Sequence, residues 1–171
     1  MRRLLIVWLL LGFVGKAVGQ KTGYELEFNI KGCQPGNVVL AYYYGDKQYI
    51  KDSIKCDVNG KFVFKGDEAL AQGIYMAVMP PDNKYFELMV DGDQHFSMTS
   101  EYTKPVEKMV VKGNDENKRF YEYLKFLNVQ KAKSKPITEQ SQKLQAADSL
   151  GYKDSPEFKK LQEKVAAIDE E

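Results

Sequence analysis

From Tyr24 to Lys112 apolar and polar residues alternate with a period near two, and after Asn114 the period lengthens to between three and four. The first pattern is that of strands with one buried face, the second that of amphipathic helices. Tyr24, Leu26, Phe28 and Ile30 alternate with Glu25, Glu27 and Asn29, which predicts a strand. The loop KGCQPGN follows, with Gly32, Pro35 and Gly36 as breakers. Val38 to Tyr44 is apolar or aromatic throughout, as expected of a strand covered on both faces or lying in a sheet interior, and Gly45-Asp46 turns the chain back.

Residues 50–66, IKDSIKCDVNGKFVFKG, read as two strands around an Asn-Gly turn. A two-residue turn would set Cys56 opposite Val63 and send Ile54 to the lysine face. A three-residue loop with Gly60 left-handed sets Cys56 opposite Phe62 and Ile54 opposite Phe64, gathering the apolar side chains on one face. Each buried phenylalanine contributes roughly 1.5–3 kcal/mol, so the second register is expected and Cys56 should point inward. Asp52 falls on that face too, and is expected at the sheet margin or hydrogen-bonded to a turn or to Ser53.

Further strands are predicted over 74–79, 85–90, 94–99 and 106–112, with connections too short for the crossover helices of a parallel βαβ sheet. About eight strands predict a mainly β fold, an antiparallel sandwich-like domain over 20–113. A helical segment over 114–171 should follow. Asn114 is a candidate cap for a helix carrying Phe120, Tyr123, Leu124 and Leu127 on one stripe. Pro136 is expected to interrupt it, a second helix to run from Thr138 to Leu150, and a third to open at Ser155-Pro156-Glu157. That last helix runs into Asp169-Glu170-Glu171 without a stop signal, so it either frays or leads into more chain.

The first nineteen residues, MRRLLIVWLLLGFVGKAVG, have a basic start, an apolar run and small residues at Ala17 and Gly19. This is the layout of a signal peptide cut before Gln20, and the apolar run is about half the roughly 20 residues a membrane span takes. The expected location is periplasmic or secreted, without a transmembrane span after cleavage. Of 25 Lys and Arg residues, Arg2, Arg3 and Lys16 leave with this segment, so 22 face 24 acidic residues and the formal charge is −2. With no basic patch, nucleic acid is not an expected partner.

Candidate chemistry is sparse. Two cysteines in an exported chain can join in one disulfide, Cys33 to Cys56, or remain two buried thiols, and both readings stay open. Tyr42, Tyr44 and Tyr49 could line a ligand platform, or fill the core and cover a sheet edge. Asp91-Gly92-Asp93 is a fragment of a calcium-loop pattern that lacks the remaining oxygen ligands, so a hairpin turn is expected. His95, the single histidine, reads as a solvent-facing strand residue, and Asp52 has no second carboxylate at catalytic spacing. No catalytic residue, cofactor or metal site is assigned.

The order of YELEFNIKG, KDSIKCDVNGKFVFKG and VVKGNDENKRFYEYLKF behind a signal peptide resembles the β-rich domain of unknown function that precedes the thioredoxin-like domain in Bacteroidetes-type periplasmic thiol-disulfide oxidoreductases. The resemblance covers roughly 23–127 and includes a Gly-x-x-x-Asn helix start, Gly113 to Asn117. It implies a noncatalytic accessory or interaction module, whose partner is another protein or, in relatives, a C-terminal thioredoxin-like domain. The Cys-x-x-Cys pair of that domain is absent from this sequence, so the redox activity does not carry over to Cys33 or Cys56. The alternative expectation is a stand-alone glycan or small-ligand binding domain built on the tyrosines.

Overall fold

The computed structural model describes residues 23–169, so the predicted signal peptide lies outside the described residues. Eight strands come first: β1 (Tyr24–Lys31), β2 (Gly36–Tyr44), β3 (Lys47–Cys56), β4 (Lys61–Gly66), β5 (Gly73–Met79), β6 (Lys84–Val90), β7 (His95–Glu101) and β8 (Val110–Lys112). A long helix α1 (Asp115–Ala147), a short 3-10 turn at Tyr152–Asp154 and α2 (Pro156–Asp169) complete the chain. The strands form two four-stranded sheets, β4-β1-β7-β8 and β3-β2-β5-β6, stacked as a sandwich. All pairs are antiparallel except β1 with β7, which run parallel although no crossover helix joins them. The constraint on short connections applies to successive strands, and β1 and β7 are far apart in sequence.

The inward side chains are those that the alternation marks. Leu26, Phe28, Ile30, Phe62, Phe64 and Met98 from one sheet meet Val38, Leu40, Ala77, Phe86 and Leu88 from the other in one core. Phe28 stacks on Phe62 at 4.9 Å between ring centres and also meets Phe64 and Phe86.

The predicted 50–66 hairpin is not a hairpin. β3 pairs with β2 over nine rungs, in which Cys56 faces Gly36 and Ile54 faces Val38. β4 pairs with β1 over six, in which Phe62 faces Phe28 and Phe64 faces Leu26. The pairs expected between Cys56 and Phe62, and between Ile54 and Phe64, therefore do not form. Asp57 closes the turn: its carboxylate accepts the Asn59 and Lys61 backbone N–H groups at 2.8 Å, while its own N–H donates to the Lys61 carbonyl. From there the strands diverge into opposite sheets, because each finds a longer ladder elsewhere. Gly60 is left-handed, as expected, and a Cβ there would overlap the Ile30 carbonyl. Cys56 does point inward and is buried, whereas Ile54, on the outermost strand of its sheet, is exposed.

Pro136 does not break α1, which continues to Ala147 as one helix. Proline removes one backbone donor and typically costs about 3 kcal/mol in a helix interior. Here α2 packs antiparallel along the far half of α1, with Phe158 and Leu161 beside Ile137 and Leu144, and that burial holds the helix together. Asn114 caps α1 as predicted, its side chain accepting the Asn117 N–H at 2.7 Å, and Ser155 caps α2 through the Phe158 N–H. The strand expected over 106–112 is reduced to β8, since 102–109 form a turn in which Ser100 donates to the Pro105 carbonyl.

Candidate functional site

In a ladder, side chains on one rung share a face, so the pairing assigns every outward position. On the β4-β1-β7-β8 sheet these are Glu25, Glu27, Lys61, Lys65, His95, Ser97, Thr99 and Lys112 among others, a charged and hydroxylated surface. His95 stands beside Glu25 on this surface, half-buried, as a strand residue facing outward.

The outward rungs of the β3-β2-β5-β6 sheet are different. Val39 lies beside Val78 and Tyr85, then Ala41 beside Ile50, Met76 and Glu87, with Tyr43, Ile74 and Met89 beyond. Toward the β3 margin the face turns polar, with Ser53 beside Val39, Gln48 beside Tyr43 and Lys55 beside Asn37, while over β2, β5 and β6 its charged side chain is Glu87, which accepts a hydrogen bond from the Tyr43 hydroxyl at 3.3 Å. Ile50 is 73% exposed and Tyr85 53%, whereas Met76 beneath them retains 3%. The surface is thus an apolar face with a packed centre and open rim.

The three tyrosines singled out from the sequence come together. Tyr49, Tyr42 and Tyr75 occupy one inward rung across β3, β2 and β5, with Tyr42 at 5.8 Å from Tyr49 and 5.6 Å from Tyr75. Tyr44 meets Tyr49 edge-on at 6.5 Å at the end of the β2-β3 hairpin. Exposure rises along the row, from buried Tyr75 to Tyr44 at 75%. Burial, then the neighbouring phenols Tyr42 and Tyr24, pushes the Tyr75 hydroxyl up, so it stays a neutral donor and reaches the Ala71 carbonyl at 3.0 Å.

Cys33 and Cys56 are both buried free thiols of the same core cluster, reaching the Gln34 carbonyl at 3.7 Å and the Asp57 carbonyl at 3.5 Å. Burial first, and the Cys56 thiol second, pushes Cys33 up to about 12; burial also raises Cys56, with the Cys33 thiol opposing that shift. A thiol held protonated in this way is a poor nucleophile. Asp52 sits at the sheet margin and accepts the Ser53 N–H at 2.7 Å. Asp91-Gly92-Asp93 is not the hairpin turn expected from the sequence, because β6 and β7 lie in opposite sheets: it carries the chain from one layer to the other, with the Asp91 carboxylate accepting from Asn114 at 2.9 Å and from the Asp93 backbone. No group of three or more His, Cys, Asp or Glu side chains among the described residues could hold a metal ion.

Sequence patterning does not reveal how two side-chain amides each take up both backbone groups of a distant residue, one on the β6 edge and one in the β4–β5 connection. Fully buried Asn117 on α1 accepts the Met89 N–H at 2.7 Å and donates to the Met89 carbonyl at 2.6 Å, as a neighbouring strand would. Tyr121, one turn on, donates to the Glu87 carbonyl at 2.6 Å. Gln94 does the same for Leu70, at 2.7 and 3.0 Å. The signal was present in the Gly-x-x-x-Asn spacing. Gly113 is left-handed against the His95 carbonyl, Asn114 caps the helix, and Asn117 falls one turn later on the buried side.

No helix among the described residues is long and apolar enough to cross a membrane. Comparison with curated proteins and with solved structures finds no match. Residues 24–120, from the first rung of β1 to the turn of α1 that carries Asn117, match a domain of unknown function, and the chain belongs to that family, DUF4369.

Proposed function

We propose that this chain is an exported, noncatalytic interaction module that holds a protein partner against the outer face of its β3-β2-β5-β6 sheet. The observation carrying this reading is the contrast between that face, apolar around Ile50, Met76 and Tyr85, and the charged outer face of the opposite sheet. A sheet face that only met water would alternate hydrophobic-in, polar-out on both layers. Both cysteines are buried in the core and not presented at the surface, which supports a role outside catalytic turnover by thiol exchange. A thioredoxin-like domain is the partner suggested by the resemblance of the sequence to the leading module of exported oxidoreductases.

The test is titration of the chain with a thioredoxin-like domain from such an oxidoreductase, followed by amide chemical shifts. Shifts grouped on β2, β3, β5 and β6, and lost in Ile50→Lys/Tyr85→Lys, are the expected result. Shifts on the β4-β1-β7-β8 face, or none, would overturn it. Insulin reduction by the chain alone should be blank, and N-terminal sequencing of the exported chain should begin at Gln20.

The row Tyr42, Tyr49 and Tyr44 favours a second reading, a glycan or small-ligand platform, because its rings are already arranged with graded exposure. Saturable binding to a glycan array that disappears in Tyr44→Ala/Tyr49→Ala would select it.

A further inference from the structure

We infer that Cys33 and Cys56 are an oxidisable pair whose disulfide ties together the two places where the chain passes between the sheets at one end of the sandwich. This inference is independent of the proposed binding face.

The topology brings the pair together. β1 belongs to one sheet and β2 to the other, so residues 32–35 are a crossing between layers. β3 and β4 lie in opposite sheets as well, so residues 57–60 are a second crossing, at the same end. The two crossings touch through their backbones: Ile30 N–H donates to the Gly60 carbonyl at 2.8 Å, and Cys33 N–H to the Ile30 carbonyl at 3.0 Å. Cys33 lies in the first crossing and Cys56 is the last residue of β3, on the rung of Gly36 where β2 begins. Each is 4% exposed, both belong to the one core cluster, and each thiol perturbs the titration of the other. Each sulfur otherwise reaches only the carbonyl of the next residue, Gln34 at 3.7 Å and Asp57 at 3.5 Å, so joining them disrupts no strong partner.

The chemistry is thiol-disulfide exchange with a disulfide carrier, a protein dithiol oxidant or oxidised glutathione. One cysteine, as thiolate, attacks the carrier; the carrier's S–S bond breaks and a mixed disulfide forms. The second cysteine then displaces the carrier sulfur, and the Cys33–Cys56 bond closes. Two electrons and two protons pass from the pair to the carrier, which leaves reduced to thiols. Burial holds both thiols protonated in the folded chain, so the pair reacts while this end is open during folding, and the finished bond is shielded from reductants in the same way.

The test is to refold the full chain in a buffer of oxidised and reduced glutathione, then quench and denature it. The expected result is a monomer lighter by about 2 Da than its reduced form, with the peptides of Cys33 and Cys56 joined. Closing a loop of this size predicts that reduction lowers the Tm by about 5–10 °C in the native chain. In Cys33→Ala/Cys56→Ala the same reductant should leave the Tm unchanged. Two free thiols after oxidative refolding, or glutathione adducts or cross-linked dimers in place of the internal bond, would overturn the inference. A bond whose reduction leaves the native Tm unchanged would overturn its role as a tie. Both readings come from the native sequence, so they stand even where the double variant fails to fold.

Discussion

The two sheets of this sandwich agree on their inner faces and disagree on their outer ones. Inside, Leu26, Phe28 and Phe64 on one layer and Val38, Leu40 and Leu88 on the other are alike in chemistry and burial. Outside, Glu25, Glu27, Lys61 and Lys65 face solvent on one layer, whereas Val39, Ile50, Val78 and Tyr85 do so on the other. The inner match is what folding requires, since the core forms from one face of each sheet. The outer apolar residues add nothing to that core, and an exposed apolar face of this kind is a surface for association. The edges differ as well. β6 is closed by side chains of α1, while β3 on the opposite margin is an exposed strand carrying Lys47, Lys51 and Lys55, charges that discourage strand-to-strand association.

The strongest way to break the inner agreement is Phe28→Ala. That ring touches Phe62 and Phe64 in its own sheet and Phe86 across the core, so its loss should cost about 3–5 kcal/mol, measured by urea unfolding. Asn117→Leu tests the edges: it leaves the Met89 N–H and C=O buried without partners and should cost about 2–4 kcal/mol. Hydrogen exchange in Asn117→Leu should accelerate on β5 and β6 before β1 and β7, and uniform acceleration would refute the special dependence of one sheet on α1. Ile50→Lys and Tyr85→Lys sharpen the outer contrast. Each should change stability by less than about 0.5 kcal/mol while reducing partner affinity at least tenfold, and Glu27→Lys on the other layer should do neither.

The smallest effect is electrostatic. The Lys61 backbone N–H foremost, together with the Asn59 N–H and the Lys61 charge, holds the Asp57 carboxyl below its ordinary 3.8. The folded chain therefore binds this proton less readily than the unfolded chain. The stabilisation is present above the ordinary value and is lost as pH falls through the lower, folded one. Thermal midpoints of the wild type should drop more steeply below about pH 4 than those of Asp57→Ala, whose profile lacks this contribution.

Most of the strands were legible because alternation is local: YELEFNI has one apolar face whatever its neighbours are. Pairing was not legible, because it depends on competition among strands. Cys56 and Phe62 satisfy the hairpin rules as a local pair, yet the ladders to Gly36 and Phe28 are longer. Pro136 misled for a related reason, since its local cost is offset by α2 packing from further along the chain. Of the candidate site residues, Cys56 points inward as expected, but through its rung with Gly36 and not through the hairpin with Phe62 from which that expectation was drawn, and the contacts among Tyr42, Tyr44 and Tyr49 depend on the β2-β3 register. The apolar outer face was only half visible: VVLAYYY predicted a strand covered on both faces or lying in a sheet interior, and β2 is an interior strand whose outer face stays open.

The grip of Asn117 on Met89 also bears on how this molecule can be divided. A fragment ending at Gly113 would keep every strand yet expose the amides of β6 as a growing point, and the expected product is an aggregating protein. A fragment carried on to Leu127 would retain the asparagine and Tyr121 and should remain in solution as a small β domain with a stub of helix. The helix start is, in effect, the ninth strand of the domain, supplied by one side chain.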